Sequence, residues 1–280
     1  MIRRAFILLV FAAAAMSGIA VMRPDFAKAI DASLMNLERA EHRFRHSVGL
    51  PLRGMPDLTR LDQRLADGGF QLGLPVLVRI FKRESDLEIW LKKDGRFELF
   101  ATYPVCRWAG RLGPKTRRGD RQVPEGFYTV SKPQLNPNSR WHRSFNIGYP
   151  NILDRSFKRT GDFIMVHGGC SSAGCIAVTN EAIDEVWAIV TAALSAGQKR
   201  FQVQVYPFRM TSWNMTLYRD HPSQPQWRDL KRGYDHFEET RLPPKVAMCD
   251  GRYVAEPGQA GSDGSDKLER RCPAALATAN

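Results

Sequence analysis

Long apolar runs are scarce in this chain: one stretch near the N-terminus is the only one of its kind, and mean hydropathy is −0.35. A polytopic membrane protein is therefore excluded. Cysteine is also sparse. Five residues, Cys106, Cys170, Cys175, Cys249 and Cys272, are too few to scaffold 280 residues with disulfides. No internal repeat is present, no CxxC pair occurs, and no HxxxH pair accompanies His167, Cys170 and Cys175 to complete a tetrahedral zinc site. Acidic residues fall short of basic ones, 29 against 41, leaving a net charge of +12. Such a balance speaks to partners rather than fold and admits an anionic polymer, a membrane surface or nucleic acid. What is present, 43% hydrophobic and 25% charged residues, is ordinary for a globular protein and excludes wholesale disorder, collagen and a coiled coil.

The single apolar run, Ala5 to Met22, follows Ile2-Arg3-Arg4, contains small residues around Ala15-Met16-Ser17, and stops at Arg23-Pro24. A basic head on an apolar stretch is an export signal, either cleaved or kept as an anchor. Export to the periplasm makes nucleic acid an improbable partner and leaves the membrane as a partner only through this segment. It also makes the odd cysteine count informative: at least one thiol stays free or pairs outside the chain. Cys249 and Cys272, both in the polar C-terminal region, are candidates for a bridge.

The rest of the chain divides by pattern. Residues 23–74 read as a helical spacer, in which Phe26, Ile30, Leu34 and Leu37 share one face of a helix over 25–45. From 75 the period becomes that of strands: Val76–Phe81, Glu88–Leu91, Phe97–Tyr103, Phe127–Val130, Phe163–Val166 and Phe201–Val205, with Asp94-Gly95 as a hairpin turn. One helix interrupts them, with Asn180 as its expected N-cap, Ile183, Val186, Trp187, Val190 and Leu194 on its apolar face, and Gly197 at its end. The prediction is a mostly-β domain with one central helix (α+β) over 75–210. An irregular extension follows over 211–255 with a helix at 227–240, then a disordered tail over 256–280.

The chemistry concentrates in two places. Between Thr102 and Thr160 twelve basic residues face three acidic ones, in loops rich in Gly and Pro that suit a ligand bearing carboxylates. These loops lead into Val166-His167-Gly168-Gly169-Cys170-Ser171-Ser172-Ala173-Gly174-Cys175-Ile176. An imidazole within reach of a thiol can take its proton, making a nucleophile and base pair. The Gly-rich turn can bring His167 and Cys175 together, and amides around Gly174 and Cys175 can face a developing oxyanion. The competing readings are a Cys170–Cys175 disulfide, structural or a reversible switch, and an incomplete zinc set.

These residues, together with Gly113-Pro114-Lys115, Gly119-Asp120-Arg121, Val123-Pro124-Glu125-Gly126-Phe127-Tyr128, Leu135-Asn136-Pro137-Asn138-Ser139, Ser144–Asn151 and Pro207–Met210, resemble the L,D-transpeptidase (YkuD-type) catalytic domain, and within it the YafK-like branch. The resemblance implies a β-sandwich-like domain without metal or cofactor. It implies Cys175 as a thioester-forming nucleophile, His167 as its base and a carbonyl of Gly168 or Gly169 orienting the imidazole. Ser172 and Gly174 would help build the oxyanion site. Two departures stand out: Ala173 replaces a His and Ala177 an Arg of the common pattern, the latter a holder of substrate carboxylate. Its charge would come from basic loops, with Arg107, Arg140 and His142 as candidates. Lys115, Arg121 and Tyr149 are further substrate contacts.

The reading is an exported cysteine acyltransferase acting on peptidoglycan stem peptides, with wall-linked proteins as further partners. A hydrolase of the same fold, releasing peptide or protein at diaminopimelate, is the alternative within the enzymes. A non-catalytic wall-binding module is the alternative outside them. The enzyme readings carry the expectation of a thiol whose apparent pKa falls below about 8.5.

Overall fold

The structure is a computed structural model that describes residues 24–272; the expected signal or anchor, residues 1–22, lies outside the described residues. In chain order the elements are α1 (Pro24–Ser47), α2 (Leu61–Asp67), β1 (Val76–Phe81), β2 (Asp86–Lys93), β3 (Arg96–Pro104), β4 (Arg107–Trp108), β5 (Gly126–Val130), β6 (Leu135–Ser139) and β7 (His142–Asn146). Then follow α3 (Ile152–Ser156), β8 (Met165–His167), β9 (Ile176–Ala177), α4 (Asn180–Ser195), β10 (Phe201–Tyr206), α5 (Ser212–Leu217), α6 (Gln224–Thr240), β11 (Lys245–Cys249), β12 (Arg252–Glu256) and β13 (Glu269–Arg270).

The α+β class expected from the pattern is the one observed. One sheet runs β3-β2-β1-β10-β5 and is parallel only between β1 and β10. A second runs β4-β9-β8-β7-β6 and is parallel only between β8 and β9. Asp94 and Gly95 both take positive φ, as an Asp-Gly hairpin turn requires. Both sheets and α4 feed one apolar core, to which α4 contributes Ile183, Val186, Ile189, Val190 and Leu194. The α4 cap falls one residue before Asn180: Thr179 accepts from the Ala182 amide.

Three expectations change. Helix α1 does not pack through its Phe26–Leu37 stripe, since Leu34 and Leu37 are 54% and 67% exposed. The opposite face docks, because Asp31 accepts hydrogen bonds from Arg83 and Tyr218, His42 lies 2.9 Å from the Val105 carbonyl, and Met35 is buried beside them. Secondly, 211–255, expected to be irregular apart from one helix, also forms α5, β11 and β12. Trp227, Phe237 and Tyr253 are fully buried, and the Tyr253 hydroxyl accepts from Asn151 Nδ2 at 2.7 Å.

Thirdly, 256–280 was expected to be disordered, yet it is folded as far as Cys272. Gln198 and Lys92 donate to the carbonyls of Asp263 and Ser262, β13 lies along β11, and Cys249 and Cys272 form the expected disulfide. Composition shows too little apolar area for self-burial; it does not show carbonyls recruited as acceptors by a neighbouring surface.

One buried ion pair fixes the loop that approaches the site. Lys82 Nζ lies 2.8 Å from Glu125 Oε1 and donates to the carbonyls of Gly113 and Val123. Glu125 also accepts from the Gly113 amide and from Trp227 Nε1 at 2.6 Å. A charge pair this deep is tolerable only because its lone pairs and protons are so fully used.

Candidate active site

The second sheet lines up the reactive residues. Ser144, His167, Ala177 and Arg107 occupy one cross-strand row through β7, β8, β9 and β4. The neighbouring row, Phe145, Val166, Ile176 and Trp108, is buried in the core. Successive residues alternate faces, so the His167 row points away from that core. Cys175 precedes Ala177 by two residues and therefore shares the face of His167. One strand spacing sideways and two residues along put their Cα atoms about 8 Å apart.

The turn joining the two strands is built around close approaches. A Cβ on Gly168 would lie 2.6 Å from Asn180 Oδ1 and 3.0 Å from Ile183 Cγ2, so only glycine lets the chain leave β8 against α4. Gly174 adopts φ +136°, with its backbone against Arg121. Ser172 clamps this bend, donating to the Cys175 carbonyl at 2.6 Å while accepting from the Gly174 amide at 3.2 Å. The Gly174 N–H, expected to face an oxyanion, is therefore occupied. The Cys175 N–H has no acceptor among the described residues.

His167 is 2% exposed and its Nδ1 lies 2.5 Å from the Gly168 carbonyl. A carbonyl only accepts, so Nδ1 carries the proton and Nε2 keeps a lone pair. Burial lowers the imidazole pKa, opposed by that hydrogen bond. Cys175 Sγ accepts from the Met165 amide at 3.4 Å and donates to the Phe163 carbonyl at 3.7 Å; no hydrogen bond joins it to His167. Burial raises the thiol pKa, with the Met165 amide and the Lys115 charge working against it. In the resting thiol, desolvation thus outweighs the nearby positive charge.

The cysteines pair as Cys106–Cys170 and Cys249–Cys272, leaving Cys175 free. Neither a structural nor a switching Cys170–Cys175 bond is what Cys170 makes, because β4 brings Cys106 beside it with Cα atoms 5.2 Å apart. Among the expected substrate contacts, Lys115 is buried, paired with Asp120 and donating to the Arg117 carbonyl. Tyr149 is buried with its hydroxyl 3.3 Å from the carbonyls of Lys115 and Thr160, so it braces the Lys115 loop. His142 is held by Asp184 on α4 at 2.8 Å. Arg121 and Arg140 stay exposed, the latter over the Trp141 ring.

The profile of the L,D-transpeptidase catalytic domain (YkuD) matches residues 79–205. The curated protein YafK of Escherichia coli strain K12, named provisionally as an L,D-transpeptidase, is 46% identical over 183 residues, which are 65% of this chain and 74% of YafK. The chain belongs to the YkuD L,D-transpeptidase family. Solved structures with some similarity include the helical cell shape determining protein Pgp2 from Campylobacter jejuni, 18% identical with TM-score 0.39 over 68% of this chain and 80% of that one. Bd1075 of Bdellovibrio bacteriovorus is 16% identical with TM-score 0.35 over 59% and 57%.

Within this YkuD-family site, sequence reasoning missed two aromatics. Trp141, 40% exposed, stands over Gly169 with its ring 6.1 Å from that of His167. Phe163, expected inside a strand, takes φ +52° before β8 begins, has a side chain 69% exposed, and meets the thiol through its backbone carbonyl. An exposed aromatic beside the imidazole is the kind of apolar surface that ligand sites use. The signal available was a Trp between Arg140 and His142 in a basic loop; nothing local marks Phe163. A cleft of about 1020 Å³ lies behind the Lys115 loop, lined by Arg111, Arg117, Asp120 and His221 among others, and neither Cys175 nor His167 lines it. Among the described residues no helix is long and apolar enough to cross a membrane.

Proposed function

We propose that this protein is an exported, cysteine-dependent peptidoglycan L,D-transpeptidase that works in the periplasm. The observation that carries this reading is the placement of the free thiol of Cys175 and the available Nε2 of His167 on one face of adjacent strands. Cys175 Sγ attacks a stem-peptide carbonyl as Nε2 of His167 accepts the thiol proton. The imidazolium then returns that proton to the departing amine, leaving a thioester. An amine from a neighbouring stem peptide attacks the thioester and regenerates the thiol. The Cys175 amide is the donor available to the tetrahedral oxyanion, a contact worth roughly 3–4 kcal/mol in comparable sites. Two disulfides support an oxidising compartment.

Neutral thiol and neutral imidazole at rest fit a proton that moves during attack, as in general-base catalysis. The test is mass spectrometry of muropeptides incubated with the protein and with Cys175→Ala. New cross-linked or exchanged amide bonds, absent with the variant, are expected. Released peptide or protein without new bonds would make the same site a hydrolase. An unchanged digest with the wall still bound would leave only a binding module.

A further inference from the structure

The cleft behind the Lys115 loop is separate from the reactive face: it holds about 1020 Å³ and is lined by neither Cys175 nor His167. One wall comes from the loop that carries Arg111, Pro114 and Arg117. The other comes from His221, Pro222 and Ser223, in the connection between α5 and α6. That second wall lies beyond residues 79–205, the span of the YkuD profile. The two walls meet closely at Gly113, which takes φ +112° and where a Cβ would lie 3.3 Å from Ser223 Oγ and 3.7 Å from His221 Cε1.

The cleft presents donors. Arg111 and Arg117 are exposed, and among the described residues they form hydrogen bonds only through their main chains, so both guanidinia are uncommitted. Asp120 is the one carboxylate among the described lining residues, and it is fully engaged. Its oxygens accept from Lys115 and from the amides of Thr116, Arg117 and Gln122. His221 is a donor held in place: its ring stacks on Trp227 with centroids 4.2 Å apart, and its Nδ1 accepts from the Ser223 amide at 3.1 Å. Burial lowers its pKa, with Lys82, Lys28 and Arg111 pushing the same way against Glu125. Near neutral pH the ring is therefore uncharged with its proton on Nε2. Neither that N–H nor the Ser223 hydroxyl has a partner among the described residues.

We infer that this cleft binds a phosphate group, carried as a phosphomonoester whose organic body lies along Pro114 and Pro222. Two free guanidinia match the charge of about −1.5 to −2 that such a group bears, and donors from opposite walls suit its three terminal oxygens. A planar carboxylate is matched by a single guanidinium fork and would leave the His221 wall unpaired. The cleft is far larger than a bare phosphate and has the size of sites that take small organic ligands. This role is independent of the acyl-transfer reading.

The experiment is calorimetric titration of the full chain, at physiological ionic strength, with glycerol 3-phosphate, dihexanoyl phosphatidic acid and succinate. Wild type is expected to bind glycerol 3-phosphate at one saturable site, and succinate roughly tenfold more weakly or less. Arg111→Gln and Arg117→Gln should each weaken the phosphate by about tenfold or more, the effect of losing a charge-assisted hydrogen bond. His221→Phe keeps a ring on Trp227 but removes the Nε2 donor, and should weaken it by about threefold to tenfold. Arg96→Gln, which removes an exposed arginine on β3, should change nothing. The rate of Cys175 alkylation by iodoacetamide checks that each variant is folded. Tighter binding of dihexanoyl phosphatidic acid than of glycerol 3-phosphate would make a lipid headgroup the source of the phosphate, and equal binding a soluble ester. The assignment is overturned by a wild type that binds neither ester saturably, or by full binding in both folded arginine variants. Succinate bound as tightly as glycerol 3-phosphate overturns it too. Should Arg111→Gln misfold, unchanged binding in Arg117→Gln and His221→Phe overturns it equally.

Discussion

Burial acts on Cys175 and His167 in opposite directions: it holds the thiol proton on and keeps the imidazole proton off. The imidazole is therefore neutral, and able to accept, at pH values below its ordinary 6.5, while the thiol is not ionised near neutrality. For alkylation of Cys175 by a neutral reagent, the rate should rise as His167 loses its proton, giving a limb with midpoint below about 6.5. In His167→Ala that limb should vanish and the rate should follow thiol ionisation, above the ordinary cysteine value of about 8.5. At pH 7 the loss should be roughly a hundredfold. A pH-rate profile identical in the two proteins would remove His167 from the base role. The proposed nucleophile and base were legible because thiol and imidazole carry their chemistry wherever they are placed. The engagement of the Gly174 amide was not, because it depends on which way Ser172 turns its hydroxyl.

At the scale of elements, the strands were readable wherever runs rich in β-branched and aromatic residues covered four or more positions, as in β1, β2, β3, β5 and β10. The two-residue strands β4 and β9 carry no period, and they decide the site. Their pairing comes from the β8–turn–β9 segment and from the Cys106–Cys170 bond, which closes a sequence separation of 64 residues. Loop-closure arithmetic for that separation gives about 4 kcal/mol. The Cys106→Ser, Cys170→Ser double variant should therefore melt well below wild type under oxidising conditions and alongside it in reductant. Equal melting temperatures without reductant would show that the packing of Leu52 and Met55 against this pair already holds β4 in place. Helix α1 teaches the reverse lesson: its apolar stripe was legible, but the side that docks is chosen by Asp31 and His42, whose partners lie 50 or more residues away in sequence.

Across the whole molecule, the C-terminal extension and the catalytic domain meet at one carboxylate. Glu125 binds Lys82 just after β1, the Gly113 amide of the Lys115 loop and Trp227 of α6. Glu125→Ala would leave Lys82 buried without a counter-charge, a loss of about 3–5 kcal/mol that chemical denaturation should register. A variant as stable as wild type would mean that Lys82 had shed its proton or found water. The sequence by itself determined the class of fold and the family and singled out the proposed reactive pair, because these rest on residue chemistry, on strand-like apolar runs and on short ordered motifs. Only the tertiary structure decided the Cys106–Cys170 pairing, the folding of 256–272, the engagement of Lys115, Tyr149 and His142, and the row that joins Arg107 to His167. Each of those depends on which distant groups become neighbours, and hydrogen bonds and disulfides form between neighbours in space whatever their separation along the chain.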